Sequence, residues 1–294
     1  MSCDISIIVL TLNEENNLPH ALASVCGWAR NVFVFDSLST DRTVEIAQEF
    51  GCVVVQHPFE NYGSQRNAAL ERLPIDTEWV FFLDADEWMP DAFKREVEEV
   101  VSSKPRQDGF YCKFRMLWMG RWIRHGYYPT WVLRLFRHQK GRCEERRVNE
   151  HLLIQGDVGF LKTDFIHEDR NGIDRWVHKH LRYATQEAAA SFARTAEAGG
   201  LTRALFGTQA QRKRWVRYNV WERLPPLVRP VLYFGYRYVL RGGFLDGRES
   251  LGFHVLQGLW FQTVIDMKYL EMKKREMRDR PAADGTRGEH TSQT

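Results

Sequence analysis

The first hundred residues alternate between two hydrophobic periods, and that alternation restricts the fold more than anything else in the chain. The runs SIIVLTL (6–12), NVFVFDS (31–37), CVVVQH (52–57) and WVFFLDAD (79–86) are short, apolar and rich in β-branched and aromatic residues. Between them lie NLPHALASVCGWA (17–29), TVEIAQEFG (43–51) and SQRNAALERL (64–73), whose apolar residues fall at helical spacing, with Gly51 as a stop. Four strand-like runs separated by three helical segments predict βαβ units, and so an α/β fold with a mainly parallel sheet flanked by helices. In such sheets ligands bind in the crevice at the carboxyl ends of the strands. TLNEE (11–15), DSLSTD (36–41) and DADE (84–87) each follow an apolar run directly, so all three are expected on that rim.

The last of these loops is the most demanding. Trp79 to Leu83 are apolar, and Asp84, Asp86 and Glu87 follow at once. Three carboxylates in four positions repel one another unless they hold a cation or face water. An Asp-X-Asp after a strand sets its carboxylates in a turn, where hard divalent cations bind through one or two carboxylates plus substrate phosphates. The plainer alternative has Asp84 capping the next helix and the other two acids solvated. Two further polar loops on the same rim favour the cation.

At 294 residues and 44% hydrophobic content the chain can fill the core of one large domain or two modest ones. Its net charge of +3 does not argue for nucleic acid, no nucleic-acid motif accompanies it, and no nucleic-acid partner is expected. Cys3, Cys26, Cys52, Cys112 and Cys143 are scattered without zinc spacing and read as reduced thiols of a cytosolic protein. The N-terminus lacks a basic n-region, and its apolar run is broken by Asn13 and Glu14. No stretch reaches the roughly 18 to 20 apolar residues of a spanning helix. A cytoplasmic protein without signal peptide or transmembrane helix is expected, peripheral at the inner face of the plasma membrane if it meets a membrane at all.

Beyond the fourth run, PDAFKREVEEVV (90–101) reads as a helix with Pro90 in its first turn. Residues 109–136 are aromatic and basic with strand-like alternation, 148–169 read as short strands ending in a His and acid cluster, and the pattern turns helical after Asp174. Residues 203–248 hold ten basic side chains, Arg229, Arg237, Arg241 and Arg248 among them, against Glu222 and Asp246 alone, with Trp and Tyr interleaved. Solvated helix faces over core aromatics would explain this composition. So would an interfacial segment with rings at headgroup depth and cations facing anionic lipid, which is the expectation adopted. Residues 275–294 are polar, contain Pro281 and Gly285, and read as a disordered tail.

The segments TLNEENNLPHALASV (11–25), FDSLSTDRTVEIA (35–47), NYGSQRNAAL (61–70) and FFLDADE (81–87), in this order, resemble the nucleotide-sugar-binding domain of family 2 glycosyltransferases, which have the GT-A fold. Within that family they are similar to the bacterial branch of lipopolysaccharide core glycosyltransferases of the beta-glucosyltransferase type. The resemblance is strong over about residues 4–100 and looser through VNEHLLIQG (148–156), DFIHED (164–169) and residues 242–261. It implies a catalytic domain over 1–174, with a donor half to about 100 and an acceptor half beyond it, followed by a helical region over 175–274.

The resemblance also implies roles. Thr11, Asn13 and Glu14 match the loop against the nucleoside, although Asn13 would serve equally as an N-cap. Asp36 matches the acid near base and ribose, and Ser37 stands where a second acid often follows. Leu38 replaces the usual Gly of that turn. Asp41 is expected to cap the helix beginning near Thr43. Arg66 matches a basic position near the nucleotide, or is a surface-helix arginine. Asp84 would hold the ribose or a metal-bound water, and Asp86 would be the direct ligand of Mg or Mn. His167 matches a position that supplies a further metal ligand, or is structural. An inverting transfer also needs a carboxylate to take the acceptor's proton. Glu150 in RRVNEHL matches that acid, with Glu168 and Asp169 in reserve.

The expected activity is metal-dependent inverting transfer of a sugar from a nucleotide-diphosphate donor, a UDP-sugar in first place. The acceptor expected is a saccharide or lipid-linked saccharide of lipopolysaccharide or polysaccharide synthesis. A nucleotidyltransferase should show a glycine-rich phosphate loop where this chain has TLNEENN. A carbohydrate-binding scaffold with a degenerate site is the alternative outside enzymes; Ser37 and Leu38 favour it, and the filled acidic positions oppose it.

Overall fold

The computed structural model describes residues 2–144, 152–196 and 224–279. All four apolar runs are strands: β1 (Cys3–Thr11), β2 (Ala29–Asp36), β3 (Val53–Gln56) and β4 (Trp79–Asp84). Helices α1 (Leu18–Val25), α2 (Thr43–Glu49) and α3 (Tyr62–Arg72) connect them, and every pairing among the four is parallel. Alternate residues of β1 feed opposite faces. Ile5, Ile7 and Val9 join Leu18 and Leu22 of α1 and Phe93 of α4 (Asp91–Ser102). Ile8 joins Phe33, Phe35, Val80 and Phe82 over Ala69 of α3. Two covered faces explain why these strands read as unbroken apolar runs rather than as alternation.

The second half adds β5 (Glu87–Trp88), β6 (Gly109–Trp118), β7 (Arg121–Trp122), β8 (Thr130–Arg137), β9 (Gly141–Cys143), β10 (Leu152–Ile154) and β11 (Val158–His167). Among the described residues the main sheet has nine strands in the order β3-β2-β1-β4-β8-β6-β11-β5, with β7 on β6, while β9 and β10 pair separately. Strands β1 to β4 pair with one another wholly in parallel. β8 is antiparallel to both β4 and β6 and splices the halves together. Strand order reverses between β1 and β4, which makes their carboxyl ends the switch point where open α/β sheets bind ligands. The register is level there: Thr11 lies beside Asp36, and Leu10 beside Asp84.

Helices α5 (Gly172–Ala196), α6 (Val228–Phe234), α7 (Arg248–Phe253) and α8 (Phe261–Asp279) follow. Ala184 and Ala188 of α5 pack on Phe261 and Ile265 of α8. Two expectations are corrected in this region. The tail read as disordered from residue 275 is helical to Asp279, extended by the Glu271–Arg275 pair one turn apart; residues 280–294 lie outside the described part. The basic segment is also not uniformly exposed. Arg229 is buried against Asp266, its Nε donating at 2.6 Å, and Arg237 lies over the Tyr127 ring at 4.0 Å. Both meet internal partners, an acid and an aromatic face, that composition alone does not pair with them. Residues 203–223 lie outside the described residues.

Candidate active site

The first two loops are built from mutual hydrogen bonds. Asp36 is fully buried and accepts from Thr11 Oγ1 at 2.9 Å, Ser39 N at 2.9 Å and Gln56 Nε2 at 3.0 Å, tying the ends of β1, β2 and β3 together. Asn13 takes φ 56° and accepts from Thr40 N at 2.7 Å, bracing the second loop rather than capping α1. Leu38 adopts φ 64°, so the turn keeps the left-handed conformation that glycine would fill without cost. Asp41 accepts from Thr43 N at 3.0 Å but stands one residue before Arg42, the N-cap of α2, so it braces the helix start without being its cap residue. Gln65 of α3 donates to Ser37 Oγ at 3.0 Å and fixes that hydroxyl on the rim.

At the third loop the three acids are each held differently. Asp84 receives both terminal nitrogens of Arg134 from β8, Nη1 at 3.2 Å, and Arg66 Nη2 at 3.4 Å. Burial alone would raise the Asp84 carboxyl, but Arg134 and Arg66 hold it well below the usual range. Glu87 is 2% exposed, accepts from Arg134 at 2.7 Å and from Asp84 N at 2.9 Å, and burial pushes its carboxyl upward despite the arginine. The solvated-turn alternative for these acids is thereby excluded. Asp86 lies 3.8 Å from His167 Nε2 and 3.4 Å from Lys179 Nζ of α5. Those two cations overcome burial and keep Asp86 ionised. Burial would lower His167, yet Asp86 and Glu87 raise it to about 9, so the imidazole is protonated at neutral pH.

Arg66, Asp84, Asp86, His167 and Lys179 border one cavity of about 480 Å³. Of the residues singled out in the sequence, Thr11, Glu14, Ser37, Arg66, Asp84, Asp86, His167 and Asp169 line it. Asp36 and Asn13 stand behind the wall. Glu168 is turned to Arg170, while its backbone nitrogen donates to the Asp86 carbonyl at 2.8 Å. Glu150 lies outside the described residues. Arg134 and Lys179 were missed by sequence reasoning. A charged residue inside the apolar alternation of VLRLF (132–136) was the available signal for Arg134; Lys179 had none beyond its place on a helix face. The far side of the cavity is walled by Trp118, Tyr127, Trp176, His180, Tyr183 and Phe253.

An open α/β sheet with a cavity at its switch point places that cavity where proteins of the doubly wound class bind their ligands. Comparison points to a family: residues 6–146, just under half of the chain and the stretch that holds the four motif segments, match the model described as Glycosyl transferase family 2. Glycosyltransferases of Rickettsia typhi and Rickettsia prowazekii, each named uncharacterized, are 26% and 32% identical to the chain, over 63% of it and 66% of their own lengths. The chain thus spans about two thirds of these relatives, and about two fifths of several others. A mannosyltransferase of Pyrobaculum calidifontis, solved with GDP-Man and Mn2+, aligns over 96% of this chain and 89% of its own at 14% identity with a TM-score of 0.48, a loose likeness. Among the described residues no helix is long and apolar enough to cross a membrane.

Proposed function

We propose that the protein is a metal-dependent inverting glycosyltransferase that moves one sugar from a nucleotide-diphosphate sugar, a UDP-sugar in first place, to a saccharide or lipid-linked saccharide of the cell envelope, with lipopolysaccharide core synthesis as its setting. The observation that carries this reading is the convergence of three rim loops and β11 on one cavity at the switch point of a domain that matches the family 2 model.

The residues present fit a shared metal site rather than a closed one. Among the described residues no group of three or more His, Cys, Asp and Glu is arranged to hold an ion. Asp86 and His167 nevertheless offer one carboxylate and one imidazole, 3.8 Å apart, on the cavity wall, and a metal bound there would displace the proton that the neighbouring acids hold on His167. Mg and Mn bind through so few protein ligands when substrate phosphates complete the shell. Asp84, clamped by Arg134 and Arg66, serves better as a fixed anion facing the ribose than as a ligand. When bound, the metal supplies charge neutralisation for the departing diphosphate.

The chain's own part is to hold donor and acceptor in line and to take one proton. As the acceptor oxygen bonds to the anomeric carbon, its proton passes to a carboxylate and the carbon–oxygen bond to the diphosphate breaks. Glu150 is the proposed base, and Asp169, which lines the cavity, is the reserve in preference to Glu168. For the acceptor side, Val231, Leu240 and Leu245 are 59%, 79% and 60% exposed beside the exposed Arg241 and Arg248, a combination suited to an anionic bilayer that carries a lipid-linked acceptor.

Calorimetric titration with UDP and GDP, with and without manganese, tests the reading. Metal-dependent binding of one nucleotide, weakened at least tenfold in a folded Asp86→Ala protein, is the expected result. Undiminished turnover in that variant would sink the metal assignment, and a folded wild type that binds neither nucleotide would return the degenerate scaffold.

A further inference from the structure

Lys179 meets the acids of the site through one long hydrogen bond, to Asp86, whose charge keeps the ammonium protonated. Arg134 is locked by two hydrogen bonds to Asp84 and one to Glu87, and Arg66 also faces Asp84. Lys179 reaches Asp86 at 3.4 Å, beyond the usual range for a charge-assisted hydrogen bond, and its other facing groups are Glu14, Asp169 and Tyr183. It projects from the face of α5 that borders the cavity, with Arg175 and Trp176 one turn earlier and Arg182 and Tyr183 one turn later. An ammonium on a flexible four-carbon stem reorients readily, whereas a guanidinium fork bound at both prongs does not.

The partner of Lys179 is also the carboxylate proposed to take the metal. A divalent ion held by Asp86 would bring a second positive charge close to the ammonium, which lies 3.4 Å from that carboxylate, and like charges so near repel. A diphosphate arriving with the metal brings the anionic oxygens that relieve this repulsion. We propose that Lys179 is a diphosphate-binding residue that rests on Asp86 in the empty site and transfers to the donor's phosphates when the donor binds. It would then hold charge on the departing nucleotide as the glycosidic bond to it breaks. This inference rests on the nucleotide-sugar reading given above and adds to it a residue from the C-terminal helices.

The test is a phosphate ladder. Uridine, UMP and UDP, and the guanosine series in parallel, are titrated into the full chain in manganese and again in EDTA. For wild type in manganese, affinity rises from nucleoside to diphosphate. In Lys179→Met the gain from nucleoside to diphosphate falls about tenfold while nucleoside affinity is unchanged, and Lys179→Arg restores part of it. A merely structural lysine would lower all three affinities together, and that pattern overturns the proposal. The EDTA arm is sharper. Asp86→Asn releases Lys179, so it should bind UDP severalfold more tightly than wild type without metal, and the Asp86→Asn/Lys179→Met double variant should lose that gain. The double variant removes both members of the Lys179–Asp86 pair and leaves His167 with Glu87 at 3.7 Å, so it serves if Lys179→Met alone folds poorly. An Asp86→Asn protein no tighter than wild type in EDTA also refutes the transfer of Lys179. Wild type that binds no nucleotide in either series fails the nucleotide-sugar reading itself, and this proposal with it.

Discussion

At the scale of single residues, the site is governed by how buried charge is paired. Arg134 is 8% exposed and answers both Asp84 and Glu87. Removing it strands two carboxylates beside each other, and breaking a buried pair costs about 3 to 5 kcal/mol. Arg134→Met should therefore lower stability by that order in urea titration, whereas the exposed Arg42→Met should shift it by less than the error of the method. If Arg134→Met is as stable as wild type, the clamp is not what holds the third loop. The sequence showed that three acids crowd this turn, but not what answers them. Arg134 lies 50 positions from Asp84, and Lys179 lies 93 from Asp86, so no local spacing records either pair.

At the scale of elements, the parallel strands were legible because each is buried on both faces and must be apolar throughout. Helix α5 was legible as a helix, but its role was not. Its face toward the cavity mixes Trp176, Lys179, His180 and Tyr183, which read as an ordinary amphipathic stripe until the sheet edge opposite is known. His180 stacks on Trp176 with ring centroids 3.5 Å apart and meets Phe261 edge-on. Burial among these rings, with Lys179 adjacent, lowers its pKa to about 4. The folded protein therefore keeps His180 neutral where the unfolded chain protonates it, near pH 6.5. Its contribution to stability is complete above about pH 6.5 and is lost as the pH falls toward 4. Between pH 7 and 4.5, wild type should lose about 2 kcal/mol relative to His180→Gln, read as the difference between their urea midpoints at each pH. Parallel losses in the two proteins would show that α5 does not bury this ring against protonation.

At the scale of the whole molecule, the C-terminal helices do two things at once: α5 completes the cavity, and the segment from Leu227 to Leu245 carries exposed apolar side chains. If that surface meets an anionic bilayer, the protein should co-sediment with phosphatidylglycerol vesicles at low salt and with phosphatidylcholine vesicles several times less. Leu240→Glu/Leu245→Glu should abolish the difference without changing nucleotide affinity. Equal partitioning of wild type and this variant would remove the bilayer from the account. Sequence by itself determined the strand and helix order of the first hundred residues, the parallel pairing of its four strands and the three rim loops, because hydrophobic period and turn residues are local signals. Tertiary structure alone decided which cation answers which acid, which arginines turn inward to Asp266 and Tyr127, and that a helix a hundred residues downstream closes the site. Those outcomes depend on chain segments meeting through the switch point and the antiparallel splice at β8, and a one-dimensional pattern carries no record of such meetings.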